Sequence, residues 1–191
     1  MTTRHVLSIV FGTILLFVWN AVSWMALPFH NNSLTNIPEA VIQVDSMRSL
    51  MPESGVYHYP GMPTDFSGPA MERVEAQLAK GPRITLMVYK NEPTSLFDPK
   101  TFGISLIINA MTVFFTYLLL VKMAIQAPKG IMTACLLIGL VAVLLSDISQ
   151  MNWFMFPLGY TLVNALDKLI AFGLLGLLFS MYTFKKPNHA G

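Results

Sequence analysis

The sequence predicts an all-α integral membrane protein: four transmembrane helices with a small α+β extramembrane segment between helices 1 and 2. Three observations carry this. Of 191 residues, 54% are hydrophobic and only 12% charged, against about 25% charged in a soluble domain. Four apolar runs reach or exceed the roughly 20 residues that span the hydrocarbon of a bilayer. The one long polar stretch falls between the first and second of those runs. A net charge of +2 is too small to argue for nucleic acid, and no such partner is expected. The single cysteine, Cys135, lies within an apolar run, so an intrachain disulfide is ruled out and a packing role is expected.

The first run, residues 6–27, follows Arg4 and His5. A secretory signal would have an apolar core of about 7–15 residues and a small-x-small cleavage site. This run is longer, and Ser23-Trp24-Met25-Ala26 carries bulk where small residues are needed, so a retained transmembrane helix is expected. Trp19 and Trp24 mark its distal end, where amphipathic rings favour the membrane interface.

Residues 28–101 hold six of the twelve basic residues and eight of the ten acidic ones, net −2. Asn36 is placed to cap a helix, with Pro38 in the first turn and Glu39 at the capping-box position. Val41, Val44, Met47 and Met51 then make one apolar face. Gly55 to Tyr59 reads as a short strand, ended by Pro60-Gly61. A second helix starts after Ser67, with Pro69 near its start and Gly81 as its stop. Ile84 to Tyr89 reads as a second strand, with Ile84, Leu86 and Val88 on one face. A segment this small and proline-rich is expected to lean on the membrane helices or on a partner.

Residues 102–125, 131–156 and 160–184 form the remaining transmembrane helices. Pro128-Lys129-Gly130 and Pro157-Leu158-Gly159 are the turns between them. Arg4, Lys122, Lys129, Lys185 and Lys186 fall on one side of a four-span arrangement. The positive-inside rule then places both termini in the cytoplasm and residues 28–101 outside. The expected location is the plasma membrane, which in a prokaryote is the inner membrane.

The expected site is a polar cluster in the outer half of the membrane: Asp147, Lys168, Asp167, Asn164, Gln150, Asn109 and Asn20. Ionisable groups at that depth are costly and need a partner or a purpose. In the last helical hairpin, facing positions sum to about 316–317. That sets Asn152 level with Asn164, and Asp147 within a turn of Lys168, which predicts an ion pair. Asp167 points about 100° away from Lys168 on its helix, toward outer water or a partner. Ser105, Asn109, Thr112 and Thr116 form a polar stripe on the second helix, Thr13, Asn20 and Ser23 on the first, and Thr161, Asn164 and Lys168 on the fourth. Gly139, Ala142, Gly173 and Gly176 permit close helix approach.

Other motifs point to little chemistry. His30 and His58, with Met25, Met51 and Met62, lack the clustering of a copper site, and no metal or cofactor is expected. Asn31-Asn32-Ser33 fits the glycosylation pattern, which has meaning in a eukaryotic secretory route. Neither a Gly-rich phosphate loop nor a Ser-His-Asp spacing is present. Three functional classes follow. The first is a non-enzymatic accessory, assembly or scaffolding subunit whose outer segment docks on a membrane-protein partner or a second copy. The second is a small transporter, or a lipid- or proton-handling protein, using an outward polar pocket. The third is an intramembrane enzyme with Asp147 or Asp167 as acid or base.

Overall fold

The computed structural model describes residues 3–39, 42 and 44–184. Val41, Lys185 and Lys186, to which the sequence assigns roles, lie outside the described residues. The chain divides into two compact units, Asn36–Ser95 and the remainder.

The larger unit holds four helices long and apolar enough to cross a membrane: Thr3–Ala26, Pro99–Lys122, Pro128–Phe154 and Leu158–Thr183. The first is α1 (Thr3–Ala21), which continues as a π-helical turn, Val22–Ala26, and is followed by the short α2 (Phe29–Asn32). The second is α5 (Pro99–Lys122); α3 and α4 belong to the smaller unit. Asp98 caps α5, its carboxylate accepting from the Lys100 and Thr101 amides at 3.2 and 3.1 Å, while Pro99 sits where no amide partner is needed. The third begins as α6 (Pro128–Val143), passes through a π-helical turn at Leu144–Ile148 and ends as α7 (Ser149–Phe154). The fourth is α8 (Leu158–Leu178), with a last π-helical turn at Phe179–Thr183.

The break between the third and fourth helices falls earlier than the sequence pattern suggests. Met155 takes a left-handed conformation, φ 59°, and Pro157 precedes the first residue of α8. Gly159 therefore lies inside the first turn of α8 rather than in the connection. Proline is compatible with a helix start but not with a helix interior, which fixes the boundary there.

The most extensive helix contacts are α6 on α8 and α1 on α5, with α8 also against α1. Leu16, Val113, Leu120, Ile131, Cys135, Leu175 and Phe179 form the shared apolar core. Glycines set the closest approaches. A β-carbon on Gly176 would lie 2.9 Å from Met132 Sδ and 3.3 Å from Met132 Cα, and one on Gly139 would lie 3.0 Å from the Phe172 side chain. One on Gly173 would meet Leu136 at an ordinary 3.8 Å.

Burial in this unit is inverted relative to a water-soluble bundle. Ser8, Thr13, Ser23, His30, Asn109, Thr116, Asp147, Thr161 and Thr183 are buried, while Ile107, Leu145, Leu162, Leu166 and Met181 are exposed. An exterior of aliphatic side chains over an interior that mixes polar groups with the apolar core suits a hydrocarbon surround and would be a large exposed apolar surface in water.

The smaller unit contains α3 (Val44–Leu50), β1 (Gly55–Tyr59), α4 (Gly68–Lys80) and β2 (Ile84–Tyr89). Its first helix starts later than Asn36 suggests. Residues 36–38 are not helical, because Ile37 precedes Pro38 and is pushed out of the α region. The second helix follows Ser67 and stops at Gly81, whose φ of 58° needs a residue without a β-carbon. The strands pair antiparallel, Val56 opposite Val88 and Tyr57 opposite Met87, with an irregularity before Tyr59. Beyond the strand ends, Ser54 donates to Glu92 at 2.7 Å and accepts from the Asn91 amide at 2.9 Å. The Ser54 hydrogen bond, followed by that from Lys90, holds the Glu92 carboxyl down at about 2.

Candidate functional site

Two polar groupings lie inside the larger unit, each built on a π-helical turn. Such turns insert one residue into the helical ladder and re-aim the side chains around them.

The first rests on the turn Leu144–Ile148, which carries Asp147. Lys168 Nζ of α8 donates to both carboxylate oxygens, at 2.7 and 2.8 Å. Ser146 Oγ adds a contact to Asp147 Oδ2 at 3.1 Å. Asp147 is 8% exposed and the Lys168 side chain 36%. The pair is bidentate and charge-balanced, the arrangement a buried carboxylate requires.

The second rests on the turn Val22–Ala26, which carries Ser23. Ser23 Oγ donates to Asp167 Oδ1 at 2.7 Å and lies 3.1 Å from His30 Nε2. Since the hydroxyl proton is committed to Asp167, His30 Nε2 is assigned as donor to Ser23. The His30 ring is 1% exposed and stacks on Trp24, centroids 3.8 Å apart and planes at 15°. Its Nε2 lies 3.9 Å from Asp167 Oδ2, and its Nδ1 is buried without a partner.

This is not the order of a nucleophilic triad. There the imidazole stands between serine and carboxylate, one ring nitrogen to each. Here Ser23 bridges His30 and Asp167, and the second ring nitrogen contacts neither.

The predicted cluster is thus divided. Asp147 pairs with Lys168. Asp167 is turned toward α1 and α2 rather than toward open water, since Ser23 and His30 close over it. Asn20 Nδ2 donates to Asn109 Oδ1 at 3.2 Å, joining α1 to α5. Asn164 donates to the carbonyl of Tyr160 in its own helix at 2.8 Å, which takes its amide away from Asn152. Gln150 is exposed on α7 and stands apart from the buried groups. The threonine stripes are mainly local: Thr13, Thr112, Thr116 and Thr161 each donate to the carbonyl four residues back. At the other end of the unit, Thr183 donates to Ser8 Oγ at 2.7 Å.

His30 is the buried residue of this site that the sequence pattern does not reveal. Its seven-residue spacing from Ser23 is two helical turns and was the available signal, but the chain leaves the helix between them at Leu27-Pro28. The short α2 carries the ring back to Ser23. Residues 28–35 consequently belong with the helices, and the separate unit begins at Asn36. His58 lies in that other unit, exposed, its Nδ1 3.1 Å from the Pro60 carbonyl. Among the described residues, no group of three or more His, Cys, Asp or Glu side chains is placed to hold a metal ion.

Comparison of the chain with protein-family models, curated proteins and solved structures finds no match.

Proposed function

We propose that this chain is a multi-pass plasma-membrane protein acting as a non-enzymatic accessory, assembly or scaffolding subunit. The unit Asn36–Ser95 is its docking module and faces the outside, with both termini in the cytoplasm. In a prokaryote the membrane is the inner one. The observation that carries this reading is the exposed apolar face of the β1–β2 pair. Val88 is 83% exposed and its cross-strand partner Val56 62%, and Leu86 and Ile84 continue the same side of β2. A two-stranded pair is marginal by itself and gains stability when such a face is covered. The intramembrane charges support the reading from the other side. Asp147 and Lys168 satisfy each other, so the pair holds α8 to the third helix without leaving a charge for a substrate.

A photoreactive residue at Val88 is expected to give a discrete higher-mass adduct in intact cells, and Val56→Asp with Leu86→Asp is expected to remove it at unchanged protein level. An impermeant thiol reagent applied to the same cells is expected to label Met62→Cys. No adduct at Val88, together with a charged face that leaves the cellular phenotype intact, would overturn the docking role. Labelling of Met62→Cys only after the cells are opened would invert the orientation.

A second reading is favoured by one observation. His30 Nδ1 is buried, unpartnered, and linked through Ser23 to Asp167. On this reading the chain handles a proton or a small polar solute.

A further inference from the structure

The helices α5 and α6 are joined by only five residues, 123–127, yet they meet sparsely, because α5 packs on α1 and α6 on α8. Between them runs a groove of about 610 Å³. One face of α6 lines it, at positions 130, 133, 134, 137, 138 and 141, with Leu119 of α5 and Met123 and Ile125 of the connection on the other side. The lining is graded along its length. Lys129 stands at the mouth, Thr133 lies one turn deeper, and Leu137, Ile138 and Val141 follow. The exposed Lys122 ends α5 across the turn. The first turn of α6 has no side-chain cap, so the amides of Lys129 and Gly130 add to the positive end of the groove.

We propose that this groove binds one anionic phospholipid. The phosphate sits at Lys129 and Lys122, the ester region at Thr133, and an acyl chain lies along Leu137 to Val141. The twelve helical steps from Lys129 to Val141 span about 18 Å. One leaflet offers about 15 Å of hydrocarbon, which covers the roughly 12 Å from Thr133 to Val141 along which the acyl chain lies. Cationic sites between helices at a membrane face are suited to anionic headgroups, and the apolar floor confines the occupant to a lipid rather than free phosphate.

The test is native mass spectrometry of the whole protein released from mixed phosphatidylglycerol–phosphatidylcholine nanodiscs. Phosphatidylglycerol is expected to remain bound one per chain in preference to phosphatidylcholine, unaffected by excess inorganic phosphate. Lys122→Gln with Lys129→Gln should weaken it about thirtyfold. Leu137→Trp, which fills the groove, should displace the lipid, whereas Leu136→Trp, off the lining, should not. Equal retention of the two lipids would overturn the assignment. So would charge-neutral or Leu137→Trp variants that bind like the parent protein, or displacement by inorganic phosphate. Helical content and elution volume identify any variant that misfolds, and Lys129→Gln alone, a surface change, then carries the comparison.

Discussion

Lys168→Met is expected to be the most damaging single substitution in the membrane unit. It leaves the Asp147 carboxylate, 8% exposed, without its bidentate partner, and breaking a buried pair in this way costs about 3–5 kcal/mol. Asp147→Asn is expected to be milder. Lys168 is 36% exposed, and its long side chain can move its ammonium toward a polar surround. Both changes together should recover most of the loss, because no charge is left stranded. Folded yield in mild detergent reads all three. An ordering with the double variant worst would mean that the two side chains stabilise the fold independently of each other.

Gly176→Val is expected to destabilise by about 1–3 kcal/mol through overpacking. The new β-carbon would meet Met132 Sδ at 2.9 Å, which can swing away, and Met132 Cα and Cys135 Cβ at 3.3 Å, which cannot move without shifting α6. Gly173→Val, three residues earlier on the same helix, has only Leu136 at 3.8 Å and is expected to be tolerated. Thermal melting of the two variants in one detergent compares them directly. Equal melting temperatures would remove Gly176 as the determinant of the α6–α8 approach.

Both expectations depend on features that differ in how far they could be read from the chain. The four apolar helices are legible because length and hydrophobicity alone specify a span. The Asp147–Lys168 geometry is legible because a short turn fixes which positions of a helical hairpin face each other. The strands β1 and β2 follow from alternation and punctuation. Their antiparallel register does not, since it joins segments separated by a whole helix. The π-helical turns at Val22–Ala26 and Leu144–Ile148 have no residue signature; they change one step of the hydrogen-bond ladder and are selected by packing. That is why Asp167 reads as outward-facing in the sequence and instead meets Ser23. The burial of His30 is hidden for a related reason: Pro28 ends a periodic pattern, and periodicity says nothing about a chain that turns back. The start of α3 is hard to read because the capping-box pattern at Asn36 conflicts with the extended preference that Pro38 imposes on Ile37.

The docking role and the proton- or solute-handling role part company in Asp167→Asn, which can keep the Ser23 hydrogen bond while removing the carboxylate charge 3.9 Å from His30. The decisive measurement is its ability to restore the phenotype of a deletion strain, read alongside the Val88 photo-adduct and the folded yield. A docking subunit is predicted to restore the phenotype and keep the adduct, because the Ser23–Asp167 contact then serves only to hold α8 in place. Normal yield and a normal adduct with the phenotype lost would contradict that account and make the Asp167 carboxylate the working part of the protein.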